Sequence, residues 1–340
     1  MNETAGFSDI AELEAQMSRP SEAARRELAA LEGDILVLGA GGKIGPTLCR
    51  LLKIAAAGRT VAAVSRFKDS EARERLEAAG IRTVAADLLD PSAYAKLPSA
   101  ENVWFMAGMK FGAGEDEPLT WAMNVYLPAL VAAHFPASRL VVFSTGNVYP
   151  FTSPNTGGAR EDTHPEPLGE YAQSCLGRER IFQYFSARNR TPVVIIRLNY
   201  ANECRYGIIV DLTRKILAGK PVDLKMGYVN LIWQGDAADY IARAIGLAAS
   251  PAQFLNVAGP ETVSVRNLAR EIGRRLGKKV HFKGREAETA LLADSRRCLE
   301  LFGPPRAGLS EMTGWIVDWV AAGKFLLGKP TKFQVRNGRF

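Results

Sequence analysis

A glycine-rich turn at 39–45 is the part of the sequence whose residue types and spacing most clearly suit chemistry. Its glycines follow the pattern G-x-x-G-x-x-G, after a short apolar run at 35–38 and before an amphipathic stretch at 44–56. Glycine allows a tight turn and lets the backbone approach a pyrophosphate, whose charge meets the N–H groups at a helix start. The turn therefore predicts a dinucleotide site. We assign to that site Gly39, Gly42, Lys43, Ile44 and Gly45.

The end of the next apolar run bears on which dinucleotide binds. There the sequence reads Val64-Ser65-Arg66. An acidic residue at this point would accept a hydrogen bond from the ribose 2′-hydroxyl of NAD and repel the 2′-phosphate of NADP. Ser65 beside Arg66 instead favours the phosphate, so we predict NADP, with NAD as the alternative. Arg66 could also be an exposed residue that only begins a loop.

The composition is that of a globular protein with more than one lobe. The chain has 340 residues, of which 47% are hydrophobic and 23% are charged. A core domain with a smaller attached lobe suits this length. No apolar stretch approaches the roughly 18 residues of a membrane span, and the N-terminus is acidic, unlike a signal peptide. We therefore expect a cytoplasmic protein with no membrane partner.

The net charge of +7 comes from 43 Lys and Arg against 36 Asp and Glu, and the excess is local. It lies at 266–285 and in the C-terminal tail. Such runs commonly mark solvated helix faces and loose tails. That is our expectation here, with attraction of an anionic ligand as the alternative. No nucleic-acid partner is expected.

Three patterns that often carry chemistry are excluded. The four cysteines are scattered without a C-x-x-C pair, which suits a reducing compartment. The three histidines form no H-E-x-x-H, so no metal site is expected. The segment at 323–329 resembles a phosphate-binding loop, but Pro330 stands where a Ser or Thr must bind magnesium, and no strand precedes it.

Apolar runs alternate with amphipathic stretches over the first 200 residues, which predicts a doubly wound parallel sheet of the α/β Rossmann type. The predicted strands lie at 35–38, 60–65, 81–86, 103–107, 140–144 and 193–198. The predicted helices lie at 44–56, 71–79, 118–134 and 170–188, after two peripheral ones. We divide the chain into a helical extension at 1–33, a dinucleotide-binding domain at 34–200, a substrate lobe at 201–325 that returns a strand and a helix to the core, and a basic tail at 326–340.

These features resemble the extended short-chain dehydrogenase/reductase family, the NAD-dependent epimerases and dehydratases, over about 35–319. The matching motifs besides the glycine-rich turn lie at 87–88, 143–149, 171–174, 197–199 and 236–238. The resemblance implies an NAD(P) cofactor whose adenine meets Asp87 and Leu88. The further cofactor contacts that it implies are Ala107, Gly108, Tyr171 and Cys175.

The family's chemistry is hydride transfer at a carbon that bears a hydroxyl group. By position, the resemblance makes Tyr171 the acid/base and Thr145 its hydroxyl partner, with Ser144 as a neighbour. It also matches Asn124 to an asparagine common in the family. A free Tyr has a pKa of about 10, so acting as a base near neutrality needs a decrease of roughly 3 units, about 4 kcal/mol. The family supplies much of that decrease with a Lys one helical turn further on.

This chain departs from the family at that lysine, because Cys175 occupies its position. A thiol is neutral near pH 7, and its thiolate would oppose ionisation of Tyr171. Two cations could replace the lysine. Arg178 lies on roughly the same helix face, and Lys110 lies beyond the fourth strand, where such sheets bind ligands. Each is more often a surface charge at such a position, so both are hypotheses.

A second departure concerns the substrate. Sugar-nucleotide members of the family carry an Arg that binds the diphosphate where this chain has Val229, while Arg285 could match a second such Arg. We expect a carbohydrate-like substrate: a sugar, a sugar acid, another small hydroxy or keto compound, or a sugar nucleotide. The residues expected to bind it are Lys110, Asn124, Asn199 and Arg285.

Three functions remain open. The pair Tyr171 and Thr145 favours an NAD(P)-dependent oxidoreductase or epimerase. Cys175 favours the alternative, a cofactor-binding regulator or sensor with little turnover. A nucleic-acid-binding or scaffold protein has only the basic segment at 266–285 in its support. The resemblance leaves a homodimer open, because family members often pair through two packed helices.

Overall fold

The computed structural model describes residues 6–68, 70–110 and 112–339. Its centre is a sheet of seven parallel strands in the order β11-β6-β5-β4-β1-β2-β3. They are β1 Ile35–Leu38, β2 Val61–Ser65, β3 Arg82–Ala85, β4 Asn102–Phe105, β5 Arg139–Thr145, β6 Val193–Leu198 and β11 Gln253–Val257. The chain runs outward from β1 to β3 and then crosses back to β4, so the strand order reverses between β1 and β4. Ligands of such sheets bind at the carboxyl edge beside that reversal.

Helices cover both faces of the sheet. Those of the core are α1 Ile10–Met17, α2 Glu22–Ala29, α3 Gly45–Ala55, α4 Ser70–Ala78, α5 Glu117–Trp121, α6 Leu127–His134, α7 Gly169–Asn189 and α9 Gln234–Arg243. On one face, α1 and α2 pack outside α3 and α9. On the other face, α6 packs against α7, which carries the tyrosine motif.

The predicted α/β fold is confirmed, and the six predicted strands lie within two residues of their expected positions. All four residues of β1 are buried, as expected for a strand that is covered on both faces. The helix predicted at 118–134 is interrupted by a π-helical turn, Ala122–Tyr126, between α5 and α6. Such turns are frequent at functional sites, and this one carries Asn124.

Residues beyond β6 build a smaller lobe. Its helices are α8 Ile208–Leu217, α10 Val265–Leu276, α11 Arg296–Phe302 and α12 Leu309–Ala321. Its short strands pair β7 Ala201–Asn202 with β10 Ile232–Trp233, β8 Val222–Asp223 with β13 Phe282–Lys283, and β9 Tyr228–Val229 with β12 Val263–Ser264. The division of the chain into four parts stays a prediction, and residues 1–5 and 340 of its end segments lie outside the described residues.

Both ends of the described chain pack against this lobe. Phe7 lies beside Trp233 and Trp315, with ring centroids 6.0 and 5.2 Å away. The C-terminal tail is not loose, in contrast to the expectation from its charge. Phe333 is only 2% exposed, and the Thr331 hydroxyl donates to a carboxylate of α8 at 2.6 Å. A buried ring and a paired hydroxyl fix the segment, and neither is marked by the basic residues that dominate its composition.

Candidate active site

A cavity of about 320 Å³ opens at the carboxyl ends of β1, β4, β5 and β6, beside the reversal of strand order. Its walls come from the glycine-rich turn, the segments that follow these strands, the start of α7, the start of α8 and the C-terminal tail. The sheet therefore gathers many of the predicted site residues. Those that line the cavity are Gly39, Gly42, Lys43, Ile44, Gly108, Lys110, Ser144, Thr145, Tyr171 and Asn199.

The glycine-rich turn passes close to its neighbours at two points. Gly39 has a φ of +89°, and a Cβ there would lie 2.5 Å from the backbone nitrogen of Ala107. Gly45 begins α3, and a Cβ there would overlap the carbonyl oxygen of Ala40. Both positions therefore require glycine. Because of these close contacts, the turn packs against the end of β4 and α3 begins beside the cavity. The N–H groups at the N-terminus of α3 can bind an anion there.

Lys43 connects the turn to the segment that follows β6. Its Nζ donates to the carbonyl oxygen of Ala201 at 3.1 Å and lies 4.2 Å from the centroid of the Tyr206 ring. Burial lowers the pKa of Lys43 to about 7, although Glu203 favours the charged form. A phosphate group in this part of the cavity would also favour the charged form.

The residues predicted to meet the adenosine half lie beside the cavity, on the same edge of the sheet. Arg66 and Asp87 are exposed at the ends of β2 and β3, and Leu88 is buried. A Cβ at Gly41 would lie 2.6 Å from the Oγ of Ser65. The close approach of Gly41 to Ser65 brings the glycine-rich turn to the end of β2, so an extended ligand could span from the turn to this edge.

Tyr171 lies in the first turn of α7 and forms side-chain hydrogen bonds with Thr145 and Cys175. Burial raises the pKa of Tyr171 well above its ordinary value, and the Cys175 thiol adds to the increase. The Arg178 guanidinium and the hydrogen bond with Thr145 oppose this increase. The phenol is therefore protonated near neutral pH, and its use as a base depends on the positive charges around it.

Cys175 lies behind the cavity wall, 1% exposed, and does not line the cavity. Burial raises the pKa of its thiol, although Arg178 opposes the increase. The thiol is therefore neutral near pH 7. It contributes no positive charge to Tyr171, so this side chain cannot replace the lysine that the resemblance leads one to expect here.

Lys110 supplies a cation next to Tyr171 from a different element. It follows β4, lines the cavity, and its Nζ lies 5.8 Å from the centroid of the Tyr171 ring. Burial lowers the pKa of Lys110, and Cys175 opposes this decrease. The ammonium thus lies on the cavity side of the phenol, where a charge can act both on the phenol and on a bound ligand.

Arg178 supplies a second cation from within α7. It is 5% exposed and lines the cavity. Its Nη1 donates to the carbonyl oxygen of Phe143 at 2.8 Å, and its Nη2 donates to Oδ1 of Asn124 at 2.5 Å. Gly108 makes room for this guanidinium, because a Cβ at that position would overlap Nη2. Both hypothesised replacements for the lysine therefore lie close to Tyr171.

Asn124 does not line the cavity, unlike our expectation of a substrate contact. It is fully buried, and its Oδ1 accepts from the backbone nitrogen of Met109 at 2.9 Å. Its Nδ2 donates to the carbonyl oxygen of Met109 at 3.0 Å and to Oγ of Ser174 at 2.9 Å. With its amide engaged by protein partners, Asn124 is a positioning residue. It fixes the segment that carries Lys110.

Ser144, predicted beside Thr145 as a catalytic candidate, is hydrogen-bonded to a residue of α7 other than Tyr171. Its Oγ donates to Oε1 of Glu179 at 2.6 Å, and Glu179 forms a buried two-bond ion pair with Arg197 at 3.0 and 2.8 Å. Successive residues of a strand point to opposite faces, so Thr145 reaches Tyr171 while Ser144 reaches Glu179. The Ser144 hydroxyl therefore supports the site and does not share the proton of Tyr171.

Of the two remaining residues predicted to bind the substrate, one lines the cavity and the other does not. Asn199 lines the cavity, whereas Arg285 is exposed on the lobe and is not among the lining residues. Sequence reasoning missed Lys329 and Thr331, which enter the wall from the C-terminal tail. No local pattern marks them, and the contact that holds Thr331 is with Asp211, 120 positions earlier in the chain.

Within 6–68, 70–110 and 112–339, no group of three His, Cys, Asp or Glu side chains is arranged to hold a metal ion. The four cysteines are free and buried. Across the same residues, every helix is too short or too polar to cross a membrane.

Several solved structures share this fold. MoeE5 in complex with UDP-glucose and NAD is 22% identical, with a TM-score of 0.70 over 85% of this chain and 99% of that one. UDP-glucuronic acid 4-epimerase from Bacillus cereus in complex with NAD is 19% identical, with a TM-score of 0.70 over 85% and 99%. WbmG from Bordetella bronchiseptica in complex with NAD is 20% identical, with a TM-score of 0.70 over 86% and 95%. Among curated proteins, no sequence matches this chain.

The family model that matches the chain is that of the NAD dependent epimerase/dehydratase family, over residues 35–258. The match includes the glycine-rich turn, Thr145 and Tyr171, and so covers the turn and the tyrosine side of the cavity. It extends over well more than half of the sequence. The chain therefore belongs to the NAD dependent epimerase/dehydratase family.

Proposed function

We propose that the protein is an NAD(P)-dependent enzyme that acts at a carbon bearing a hydroxyl or keto group in a carbohydrate-like compound, as an epimerase, dehydratase or oxidoreductase. The observation that carries this proposal is the hydrogen-bonded pair Tyr171 and Thr145 in the wall of a cavity that begins at the glycine-rich turn. A phenol and a hydroxyl in this arrangement can hold a substrate oxygen and exchange its proton.

The residues around the cavity fit a nicotinamide dinucleotide. A pyrophosphate would fit beside the closely packed Gly39 and Gly45 and the ammonium of Lys43. The adenosine ribose with a 2′-phosphate would fit beside Ser65 and Arg66. The NAD in the structures of MoeE5 and WbmG supports a nicotinamide dinucleotide as the cofactor. When bound, the dinucleotide supplies the hydride acceptor and donor. The chain's own residues bind it, orient the substrate and hold the proton.

The proton is held at the phenol oxygen of Tyr171. Because burial raises the pKa of this phenol, removal of a substrate proton requires that nearby charges stabilise the phenolate. Lys110 and Arg178 are positioned to do so, in place of the lysine that Cys175 replaces. Thr145 is hydrogen-bonded to the same phenol and keeps it oriented. Asn124 positions both cations through Met109 and its bond from Arg178.

The proposal is tested by binding and turnover. Fluorescence titration of the wild-type protein with NADPH and NADH should show binding on the micromolar scale. Tyr171→Phe should lower turnover by roughly 10²–10⁴-fold while dinucleotide binding persists. Tyr184→Phe is the matched control, because Tyr184 lies on the same helix but is 53% exposed. No binding of either dinucleotide, or full turnover in Tyr171→Phe, would refute the proposal.

A regulator or sensor that binds NAD(P) with little turnover is the second candidate. The observation in its favour is Cys175, whose neutral thiol raises the pKa of Tyr171 where the family has a lysine. Dinucleotide binding without turnover of any hydroxy compound by wild-type protein would favour this function over the first.

We also propose a cytoplasmic homodimer. The free, buried cysteines suit a reducing compartment. Trp121, Tyr126 and Tyr184 leave aromatic surface exposed on the helices between β4 and β6, at 39%, 52% and 53%. Light scattering should give twice the chain mass, and Tyr184→Asp should shift it toward the monomer; a wild-type monomer would contradict the proposal.

A further inference from the structure

The C-terminal strap, residues 329–338, crosses the lobe side of the cavity. It starts at Lys329 and Thr331, which line the cavity. It ends at Gly338, which packs so closely on Gly169 that a Cβ on either residue would overlap the backbone of the other segment. Gly169 begins α7, two positions before Tyr171. The strap therefore runs from the wall beside the glycine-rich turn to the helix that carries the tyrosine.

Side chains anchor the strap along this path. The backbone nitrogen and hydroxyl of Thr331 both donate to Oδ2 of Asp211, at 2.8 and 2.6 Å. Phe333 is buried in the lobe core. Arg336 donates to the carbonyl oxygen of Thr289 at 2.6 Å and to its Oγ1 at 2.8 Å. Contacts at three positions hold the segment, which makes it a wall of the site and not a mobile tail.

The strap lies against the two segments of the lobe that carry the family's diphosphate positions. In the family that this chain resembles, diphosphate ligands come from the positions of Val229 and Arg285. Here Val229 is apolar and fully buried in a strand, and Arg285 is exposed. The guanidinium of Arg336 contacts the chain four positions from each of them, 3.5 Å from the carbonyl oxygen of Lys225 and bonded to Thr289. An arginine of the C-terminal strap thus connects the two segments that carry the family's diphosphate positions.

Little space remains beneath the strap. Between Phe151, Leu168, Leu291 and the strap residues Val335 and Arg336, the cavity is about 20 Å³. That volume holds about one water molecule, far less than a nucleoside. The main cavity of about 320 Å³ lies at the lower end of the range for small-molecule sites, about 300–1,000 Å³. Part of it faces the glycine-rich turn, where the dinucleotide is proposed to bind, so the space left for the substrate is smaller than this volume.

The charges around the remaining space favour an anion. Of the described residues that line the main cavity, four are cations and none is Asp or Glu. Lys43 lies at the glycine-rich turn, whereas Lys110 and Arg178 lie at the tyrosine. The Nε of Arg178 is buried and has no hydrogen-bond partner among the described residues. A buried donor without a partner is costly, so a carboxylate at this end would satisfy a need that the protein leaves open.

We propose that the strap closes the nucleotide part of the family's substrate groove and restricts the enzyme to a small free sugar acid, whose carboxylate faces Lys110 and Arg178. This inference rests on the proposed function, because it names the substrate class of that same site. It predicts a difference in substrate from the sugar-nucleotide enzymes that share the fold.

Calorimetric titration of the full-length protein tests the proposal, with glucuronate, glucose and UDP-glucuronate as probes, each with and without saturating NADP⁺. We expect glucuronate to bind at least about tenfold more tightly than glucose or UDP-glucuronate. The double variant Arg336→Ala/Gly338→Ala should release the strap, since it removes the bonds to Thr289 and introduces a Cβ that overlaps Leu168. It should then bind UDP-glucuronate at least about tenfold more tightly than wild-type protein does.

Hydrogen exchange over 329–338 confirms the release independently of any ligand, and Arg339→Ala, an exposed position of the same tail, is the matched control. Equal or tighter binding of UDP-glucuronate by wild-type protein would overturn the proposal, as would glucuronate binding no more tightly than glucose. Neither result affects the proposed function if dinucleotide binding and dependence of turnover on Tyr171 persist. Failure of NADPH and NADH to bind refutes the proposed function instead.

Discussion

The ammonium nitrogen of Lys110 lies 5.8 Å from the centre of the Tyr171 ring, although the two residues belong to different elements. In the resemblance that the sequence suggests, the cation comes from the tyrosine's own helix, one turn further on. Here that turn carries a neutral thiol, and the cations near the phenol are Arg178, on the same helix, and Lys110, in a segment after β4 that Asn124 holds.

Lys110→Met should lower turnover by about tenfold or more and move the pH optimum upward. Loss of a nearby positive charge raises the pKa of Tyr171 further, so a higher pH is needed to form the phenolate. The pH profile of kcat measures this, and Lys110→Arg should retain a profile closer to wild type. Lys96→Met, at an exposed position, is the control. An unchanged profile in Lys110→Met would assign the role to Arg178 alone.

Cys175→Lys should move the pH optimum downward. An ammonium in place of the thiol removes a group that raises the pKa of Tyr171 and adds one that favours the phenolate. The pH profile of kcat, taken with the melting temperature to confirm folding at this buried position, measures the effect. Cys175→Ala separates loss of the thiol from gain of charge. No shift in the folded lysine variant would mean that another cation already performs this task.

The parts of the fold that depend on local pattern could be predicted from the sequence. β1 is four consecutive apolar residues before a glycine-rich turn, and both features are visible in a window of about ten residues. Tyr171 and Thr145 were matched by motif, and the parallel sheet then brings the end of β5 to the start of α7.

Features that depend on distant contacts could not be predicted. The strap resembles a solvated basic tail because the partners of Thr331 and Arg336 lie 120 and 47 positions earlier. The role of Asn124 depends on a π-helical turn that no periodicity marks. The partner of Ser144 was missed because Glu179 is one of several polar residues on a long helix, and only the packed structure shows which of them is buried.

Dinucleotide binding should weaken as pH rises through about 7, because the pKa of Lys43 in the protein is about 7. A bound pyrophosphate raises that pKa, so binding takes up a proton above pH 7 and is strongest below it. Calorimetric affinities for NADP⁺ between pH 6 and 9 measure the slope. Lys43→Met should bind more weakly at pH 6 and lose the slope. A wild-type affinity that is independent of pH would contradict the assignment of Lys43 to the pyrophosphate.

Arg66→Ala should weaken NADPH binding by about tenfold and leave NADH binding within about twofold, because a charge-assisted bond to the 2′-phosphate contributes on the order of 1.5 kcal/mol. Fluorescence titration of both dinucleotides measures the ratio. Arg59→Ala, at the opposite end of β2, controls for a general loss of positive charge. If the two dinucleotides weaken equally, Arg66 does not read the 2′-phosphate, and NAD becomes the better assignment.

Glu179→Gln should destabilise the fold by about 3–5 kcal/mol, because it leaves Arg197 charged, buried and without its ion-pair partner. The side chains of Glu179 and Arg197 are 0% and 3% exposed, so water cannot replace the lost interaction. Urea unfolding measures the change. Glu71→Ala removes an exposed ion pair with Arg75 and should change stability by at most about 1 kcal/mol. Glu179 also accepts a hydrogen bond from the Ser144 hydroxyl at the end of β5, so kcat should fall together with stability in Glu179→Gln. Equal stabilities for the two variants would show that this buried pair does not hold the strand against the helix.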